Sequence, residues 1–192
     1  MKDPAEGISI NMERVDLTDI PQFELPAPYS FRWFRPGDEQ DWVDIHVDAD
    51  NFNESTINQF YAQFGTDDDY TAGRMCFLCD GDGQAVGTAS AWHMADLRGV
   101  EAGRVHWVAI VERLHGRGLA KPMLTAVLNR MVELGYERAC LDTDTRRLPA
   151  VNLYLSFGFR PHIPDEDQLR AWQWVRERLP DSPLKDFPLK IG

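Results

Sequence analysis

The chain has 192 residues, of which 43% are hydrophobic and 27% charged, which suits one globular domain with a sizeable core. Its formal net charge of −11 disfavours nucleic acid as a partner, because phosphate binding needs clustered lysine and arginine. No apolar run approaches the roughly 20 residues of a membrane span, and no signal-peptide pattern opens the chain. We therefore expect a cytoplasmic protein without a membrane partner.

Prolines punctuate the beginning of the chain, at positions 4, 21, 26 and 28. Because proline removes a backbone donor and fixes φ, it interrupts long regular elements. We therefore predict an irregular N-terminal arm over residues 1–28, followed by a single domain over residues 29–192.

Hydrophobic periodicity and turn residues predict the elements of this domain in chain order. Those expected first are a strand over 29–34, a helix after Asp38 with Trp42, Ile45 and His46 on one side, a helix over 57–64 capped by Ser55 or Thr56, and a loop over 65–70. A hairpin follows, with its strands over 75–78 and 85–94. Those expected later are a strand over 105–111, a helix ending near Gly135, strands near 138–142 and 160, and helices beginning near Pro149 and Asp165.

The cysteines do not indicate a disulfide framework or a metal site. There are three of them, an odd number in a chain without a secretory signal. Cys76 and Cys79 lie three apart in a predicted strand, so they point to opposite faces. We predict buried structural cysteines and no metal.

The most informative stretch joins the apolar strand over 105–111 to a helix through the run His115-Gly-Arg-Gly-Leu-Ala120. The first backbone N–H groups of a helix lack intrahelical partners, and the helix dipole adds partial positive charge there. Gly116 and Gly118 let an anion approach where a Cβ would block it. The sequence therefore predicts an anion site at this junction.

Two common phosphate loops do not fit this run. A dinucleotide fold needs Gly-x-Gly-x-x-Gly after the first strand of a βαβ unit, whereas Gly116-x-Gly118-x-Ala120 lies past the middle of the chain. A nucleoside-triphosphatase loop needs Gly-Lys-Ser/Thr, whereas Leu119 follows the second glycine. Both types of nucleotide site are therefore disfavoured.

The run resembles the acyl-coenzyme A loop of the GCN5-related N-acetyltransferases, whose signature is Gln/Arg-x-x-Gly-x-Gly/Ala. In the preferred register it reads His115-x-x-Gly118-x-Ala120, and Arg113-x-x-Gly116-x-Gly118 also fits the letters. The departure is a histidine where glutamine or arginine is usual. The resemblance implies an α/β fold with a central mixed sheet and helices on both faces, and the predicted order of elements matches it independently.

A second motif supports the resemblance, because Leu153-Tyr154 is followed after three residues by Gly158-Phe159. In the family, this tyrosine protonates the departing thiolate, so the resemblance implies that Tyr154 is a general acid. The alternative is an aromatic residue that only packs on the inner face of a helix. The asparagine that many relatives place near the start of this helix is Arg147 here, and Asn152 lies two residues before the tyrosine.

His106 is the candidate base. An amine acceptor is protonated at neutral pH and must lose a proton before it attacks. Relatives place a histidine or glutamate on this strand, and even spacing puts His106 on one face with Val108 and Ile110. The alternative is a histidine that only packs in the strand.

The hypothesis from sequence is a cytoplasmic N-acetyltransferase that moves an acetyl group from acetyl-coenzyme A to a primary amine of a small molecule or peptide. The alternatives are a binding or sensor module for acyl-coenzyme A and a structural domain with a tight turn. The N-terminal arm and the Trp172/Trp174 helix are candidates for shaping the acceptor pocket or for a homodimer contact. The residues assigned to the cofactor are Ile110, Val111, Glu112, His115, Gly116, Arg117, Gly118, Leu119, Ala120 and Asn152.

Overall fold

A computed structural model gives the fold and describes residues 3–50, 52–97 and 100–192. Contacts between Cα atoms divide the chain into two units, each assembled from separate stretches. The first unit comprises Met1–Ile20, Met94–Ala102 and Tyr136–Gly192. The second comprises Pro21–His93 and Gly103–Gly135.

The second unit is built on strands that follow one another in the order β2-β3-β4-β5, except that residues 94–97 of β4 and 100–102 of β5 are assigned to the first unit. Their bounds are Ser30–Trp33 for β2, Met75–Cys79 for β3, Ala85–Leu97 for β4 and Val100–Ile110 for β5. Strand β3 runs antiparallel to both β2 and β4. The predicted hairpin is confirmed, with Gly83 taking a φ of +80° in its turn, a conformation that glycine adopts without strain.

Four helices belong to the second unit: α1 over Glu39–Ala49, α2 over Ile57–Phe64, α3 over Asp68–Ala72 and α4 over Ala120–Glu133. Thr56 caps α2, since its hydroxyl accepts the Gln59 N–H at 3.1 Å. The prediction of a loop over 65–70 is wrong in its second half. The Asp67 carboxylate accepts the Tyr70 N–H at 2.9 Å, and this cap begins α3.

Aromatic residues fill the core of the second unit, and we call them the aromatic cluster: Phe34, Trp42, Phe60, Phe64, Trp92 and Trp107. Trp42 is fully buried at the centre, with ring centroids 5.5 Å from Phe60 and 5.0 Å from Trp107. The spacing of Phe60 and Phe64 explains the packing, because residues four apart share one helix face. The cluster fixes α1 and α2 against β5.

The first unit contains the strand order β6-β1-β7, with β1 over Ser9–Arg14, β6 over Ala139–Asp144 and β7 over Arg160–His162. Both pairings of β1 are antiparallel. Its helices are α5 over Leu148–Ser156 and α6 over Glu166–Arg178. The Asp165 carboxylate caps α6 by accepting the Gln168 N–H at 2.8 Å.

The N-terminal arm is therefore not irregular throughout. Ile10 and Met12 are fully buried on β1, two residues apart as a strand face requires. The prolines that suggested an irregular arm all lie outside Ser9–Arg14, so they do not interrupt this pairing.

The described residues form a mixed α/β protein with seven strands and six α-helices, which confirms the predicted fold class. Cys76, Cys79 and Cys140 are buried thiols, and burial raises the pKa of Cys76 to about 12. Among the helices described, none is both long and apolar enough to cross a membrane.

Candidate functional site

The glycine run forms the predicted junction of strand, turn and helix. Strand β5 ends at Ile110, a short 3-10 helix covers Glu112–Leu114, and α4 begins at Ala120. Gly116 and Gly118 have φ values of +75° and +78°, and an added Cβ would meet nothing within 4 Å at either position. Glycine is therefore required here for backbone conformation and not for space.

The loop presents main chain to solvent at the start of a long helix. Residues 115–118 are exposed, Leu119 is buried and Ala120 is half-buried. The helix has 14 residues, and no side chain in the described part of the protein caps its N-terminus. Helix N–H groups that lack such a cap attract anions, so the geometry fits a phosphate-bearing ligand.

The main-chain groups at the end of β5 are engaged within the chain. The Val111 N–H donates to the Val86 carbonyl at 3.0 Å, and the Glu112 N–H donates to Asp48 Oδ1 at 2.5 Å. The Ile110 carbonyl lies 2.6 Å from His115 Nε2. Sequence reasoning missed this arrangement, since nothing in the pattern pairs Asp48 with Glu112.

His106 does not share a face with Ile110, so that part of the prediction is wrong. Trp107 has a φ of +48°, which breaks the alternation of β5 in the middle of the strand. The consecutive rings of His106 and Trp107 consequently both enter the aromatic cluster, with His106 5.5 Å from Phe64.

Two further contacts locate this break. Trp107 Nε1 donates to Gln63 Oε1 at 3.1 Å, which ties the irregular residue to α2. Ile110 lies on the side of Met123, since a methyl group added at Gly87 would lie 3.1 Å from Ile110 Cγ1 and 2.9 Å from Met123 Cε. Packing against other elements therefore decides to which face of β5 the side chains before and after Trp107 point.

Burial also changes the chemistry of His106. Desolvation lowers the pKa of this imidazole to about 3, with Arg104 and His46 adding to the effect. An efficient base has a pKa near the working pH, whereas His106 remains neutral at all pH values near neutrality. The neutral ring can accept a proton on its free ring nitrogen, but the resulting imidazolium is a strong acid and loses that proton readily.

His106 should make the folded protein sensitive to acid. The unfolded chain binds this proton below the ordinary pKa of 6.5, whereas the folded chain binds it only near pH 3. The contribution of His106 to the free energy of unfolding is therefore fully present above pH 6.5 and is lost as the pH falls toward 3. The loss is at most about 1.4 kcal/mol per pH unit. We expect His106→Gln to lose less stability than the wild type between pH 7 and pH 4.5 in urea denaturation. Equal losses would contradict this role of His106.

Tyr154 lies on α5, where Pro149 occupies the first turn. The residue is 7% exposed, and its ring centroid lies 6.0 Å from that of Phe159. Burial raises the pKa of the Tyr154 phenol to about 12, against a smaller opposing effect of Arg147. The phenol therefore keeps its proton near neutral pH, as a proton donor must. Asn152 is exposed on the same helix.

Arg14 of β1 holds the end of α5, a role that the sequence did not reveal. Its guanidinium donates to the Phe157 carbonyl and, at 2.6 Å, to the Asp16 carbonyl. Buried helix-end carbonyls need such partners. The alternation of Ile10, Met12 and Arg14 could have indicated this role, because it places the arginine on the buried face of a strand.

The fold and loop define an α/β protein with a helix N-terminus suited to a phosphate-bearing ligand. Residues 23–159 match the model of the acetyltransferase (GNAT) family. This match covers more than half of the chain, and the chain belongs to that family.

Individual relatives agree with this assignment. The chain is 41% identical over 68 residues to a mycothiol acetyltransferase of Corynebacterium aurimucosum, a match that covers 35% of this chain and 22% of the relative. It spans less than half the length of the first curated relatives that it matches.

Solved structures show the same fold. A GCN5-related N-acetyltransferase from Sphaerobacter thermophilus superposes with a TM-score of 0.64 at 22% identity, covering 80% of this chain and 48% of that chain. The NatC complex bound to Gag peptide and CoA gives a TM-score of 0.55 at 14% identity, covering 66% and 80% of the two chains.

Proposed function

We propose that this chain is an acetyltransferase that moves the acetyl group of acetyl-coenzyme A to a primary amine of a small molecule or peptide. The observation that carries the proposal is the solvent-exposed loop over 115–118, with two glycines at positive φ before the N-terminus of α4. Such a loop suits the pyrophosphate of coenzyme A, because backbone N–H groups bind phosphate oxygens. Family membership supports the choice of cofactor.

The proposed reaction is direct attack in a ternary complex. The amine nitrogen attacks the thioester carbonyl, the new C–N bond forms, the C–S bond breaks and the sulfur leaves as a thiolate. Tyr154 gives its phenolic proton to this thiolate, which departs as the free thiol, and the Tyr154 phenolate then regains a proton from solvent. The raised pKa keeps the phenol protonated before the transfer. His106 takes the ammonium proton and releases it to solvent, which restores the neutral ring. Because burial lowers its pKa to about 3, the ring holds this proton only transiently.

The cofactor residues are proposed with the roles that the resemblance gives them. His115 to Ala120 surround the pyrophosphate, and Ile110, Val111 and Glu112 meet the pantetheine arm. Asn152 is assigned to the same cofactor. The family match draws on stretches of both units, which supports one acetyltransferase domain. The relatives support both classes of acceptor, since one is named for mycothiol and another is bound to a peptide.

A panel of amines tests the proposal directly. The chain is incubated with acetyl-coenzyme A and with small primary amines or peptides, and both free thiol and the mass of each amine are followed. We expect thiol release that depends on an amine, together with an acetylated product. Binding of acetyl-coenzyme A without acetylation of any amine would instead favour the sensor alternative.

A further inference from the structure

His115 binds the strand that leads to it. Its Nε2 lies 2.6 Å from the Ile110 carbonyl oxygen. A carbonyl only accepts hydrogen bonds, so Nε2 carries the hydrogen and donates it. The imidazole stands where the family signature has glutamine or arginine, and its side chain is directed back to β5.

The Ile110 carbonyl, to which His115 binds, points to the edge of β5 that faces away from β4. The Val111 N–H donates to Val86 of β4. Successive residues of a strand direct their main-chain groups to opposite edges, so the Ile110 carbonyl points away from β4. A ligand that added to this edge like a strand would bring an amide N–H to that carbonyl.

We infer that the His115 imidazole is an internal substitute for the amide of the cofactor and that it leaves the Ile110 carbonyl when coenzyme A binds. This inference rests on the proposed function and adds a regulation of the same site. The carbonyl oxygen has two lone pairs, but the imidazole ring lies 2.6 Å from it and takes up space in front of it, so a ligand amide that approaches along the strand edge competes with the ring. Part of the binding free energy is therefore used to displace the ring, and His115 lowers the affinity for the cofactor.

The backbone of the loop does not depend on this ring. The His115 N–H donates to the Glu112 carbonyl and the Leu114 N–H to the Val111 carbonyl, both at 3.0 Å. An alanine at position 115 keeps both bonds. His115→Ala should therefore free the Ile110 carbonyl without unfolding the turn.

Calorimetric titration of coenzyme A into the wild type and His115→Ala tests the inference. A net hydrogen bond of about 0.5–1.5 kcal/mol corresponds to about twofold to twelvefold in affinity, and we expect His115→Ala to bind more tightly by a factor in that range. His162→Ala is the matched control, because His162 is a half-buried histidine of β7 with no role in the proposed cofactor site. We expect that control to bind as the wild type does.

Nuclear magnetic resonance of the imidazole gives a second readout. The Nε2–H signal of His115 in the wild type should shift on addition of coenzyme A, as its bond to Ile110 is replaced. The inference would be overturned, and the proposed function kept, by the following result. The wild type binds coenzyme A, His115→Ala binds it with equal or weaker affinity, and the imidazole signal of the wild type does not shift. Absence of binding to all three proteins would overturn the proposed function as well.

Discussion

Tyr154→Phe is expected to lower kcat by about 10²–10⁴-fold, the usual contribution of a general acid, while the affinity for acetyl-coenzyme A stays within about twofold. The substitution removes only the hydroxyl and keeps the ring that packs against Phe159. Because burial raises the pKa of this phenol to about 12, the wild type should keep the donor protonated across the neutral range.

Steady-state kinetics and calorimetry on the same preparation separate these two effects. Tyr136→Phe is the matched control, since it also removes one phenolic hydroxyl but lies outside α5. A normal kcat in Tyr154→Phe would remove this residue from the mechanism. An equal loss in both variants would indicate a general effect on folding.

Trp42→Ala is expected to have the largest effect on stability, lowering the free energy of unfolding by about 3–5 kcal/mol. The side chain is fully buried and contacts Phe60, Phe64 and Trp107 of the aromatic cluster. Its removal leaves a cavity that rigid neighbouring rings fill poorly.

Urea denaturation measures this loss, with Trp33→Ala as the control. Trp33 is 38% exposed, and its ring lies 5.2 Å from the Arg130 guanidinium, a contact worth about 0.5–1 kcal/mol at an exposed site. We expect the smaller loss for Trp33. Equal losses in the two variants would contradict the central position of Trp42.

Local signals in the sequence predicted most of the fold. Helices α1 and α2 were visible from the spacing of Trp42, Ile45 and Phe60, because one buried face suffices to specify a helix. Strand β1 was missed because its partners lie far along the chain, with Asn11 bonded to Asp142 across 131 residues. A short strand gains its stability from such pairing, and no local pattern reports it.

The junction of strand, turn and helix at the candidate site was predicted from the sequence, but the packing around it was not. The glycine conformation followed from the turn, since positive φ at Gly116 and Gly118 is a local property. The break at Trp107 depends on Gln63 of a different element, so the face of His106 could not be read from even spacing. Desolvation of His106 likewise depends on packing around the aromatic cluster.

Titration of acetyl-coenzyme A into the wild type and Gly118→Val, followed by calorimetry, tests the central claim most directly. Gly118 has a φ of +78°, which a β-branched residue rarely adopts. We predict saturable binding of one acetyl-coenzyme A per chain by the wild type and at least about tenfold weaker binding by the variant, since one lost bond to a charged group costs about 1.5–3 kcal/mol. No binding by the wild type, or equal binding by a folded Gly118→Val, would contradict a cofactor site at this loop.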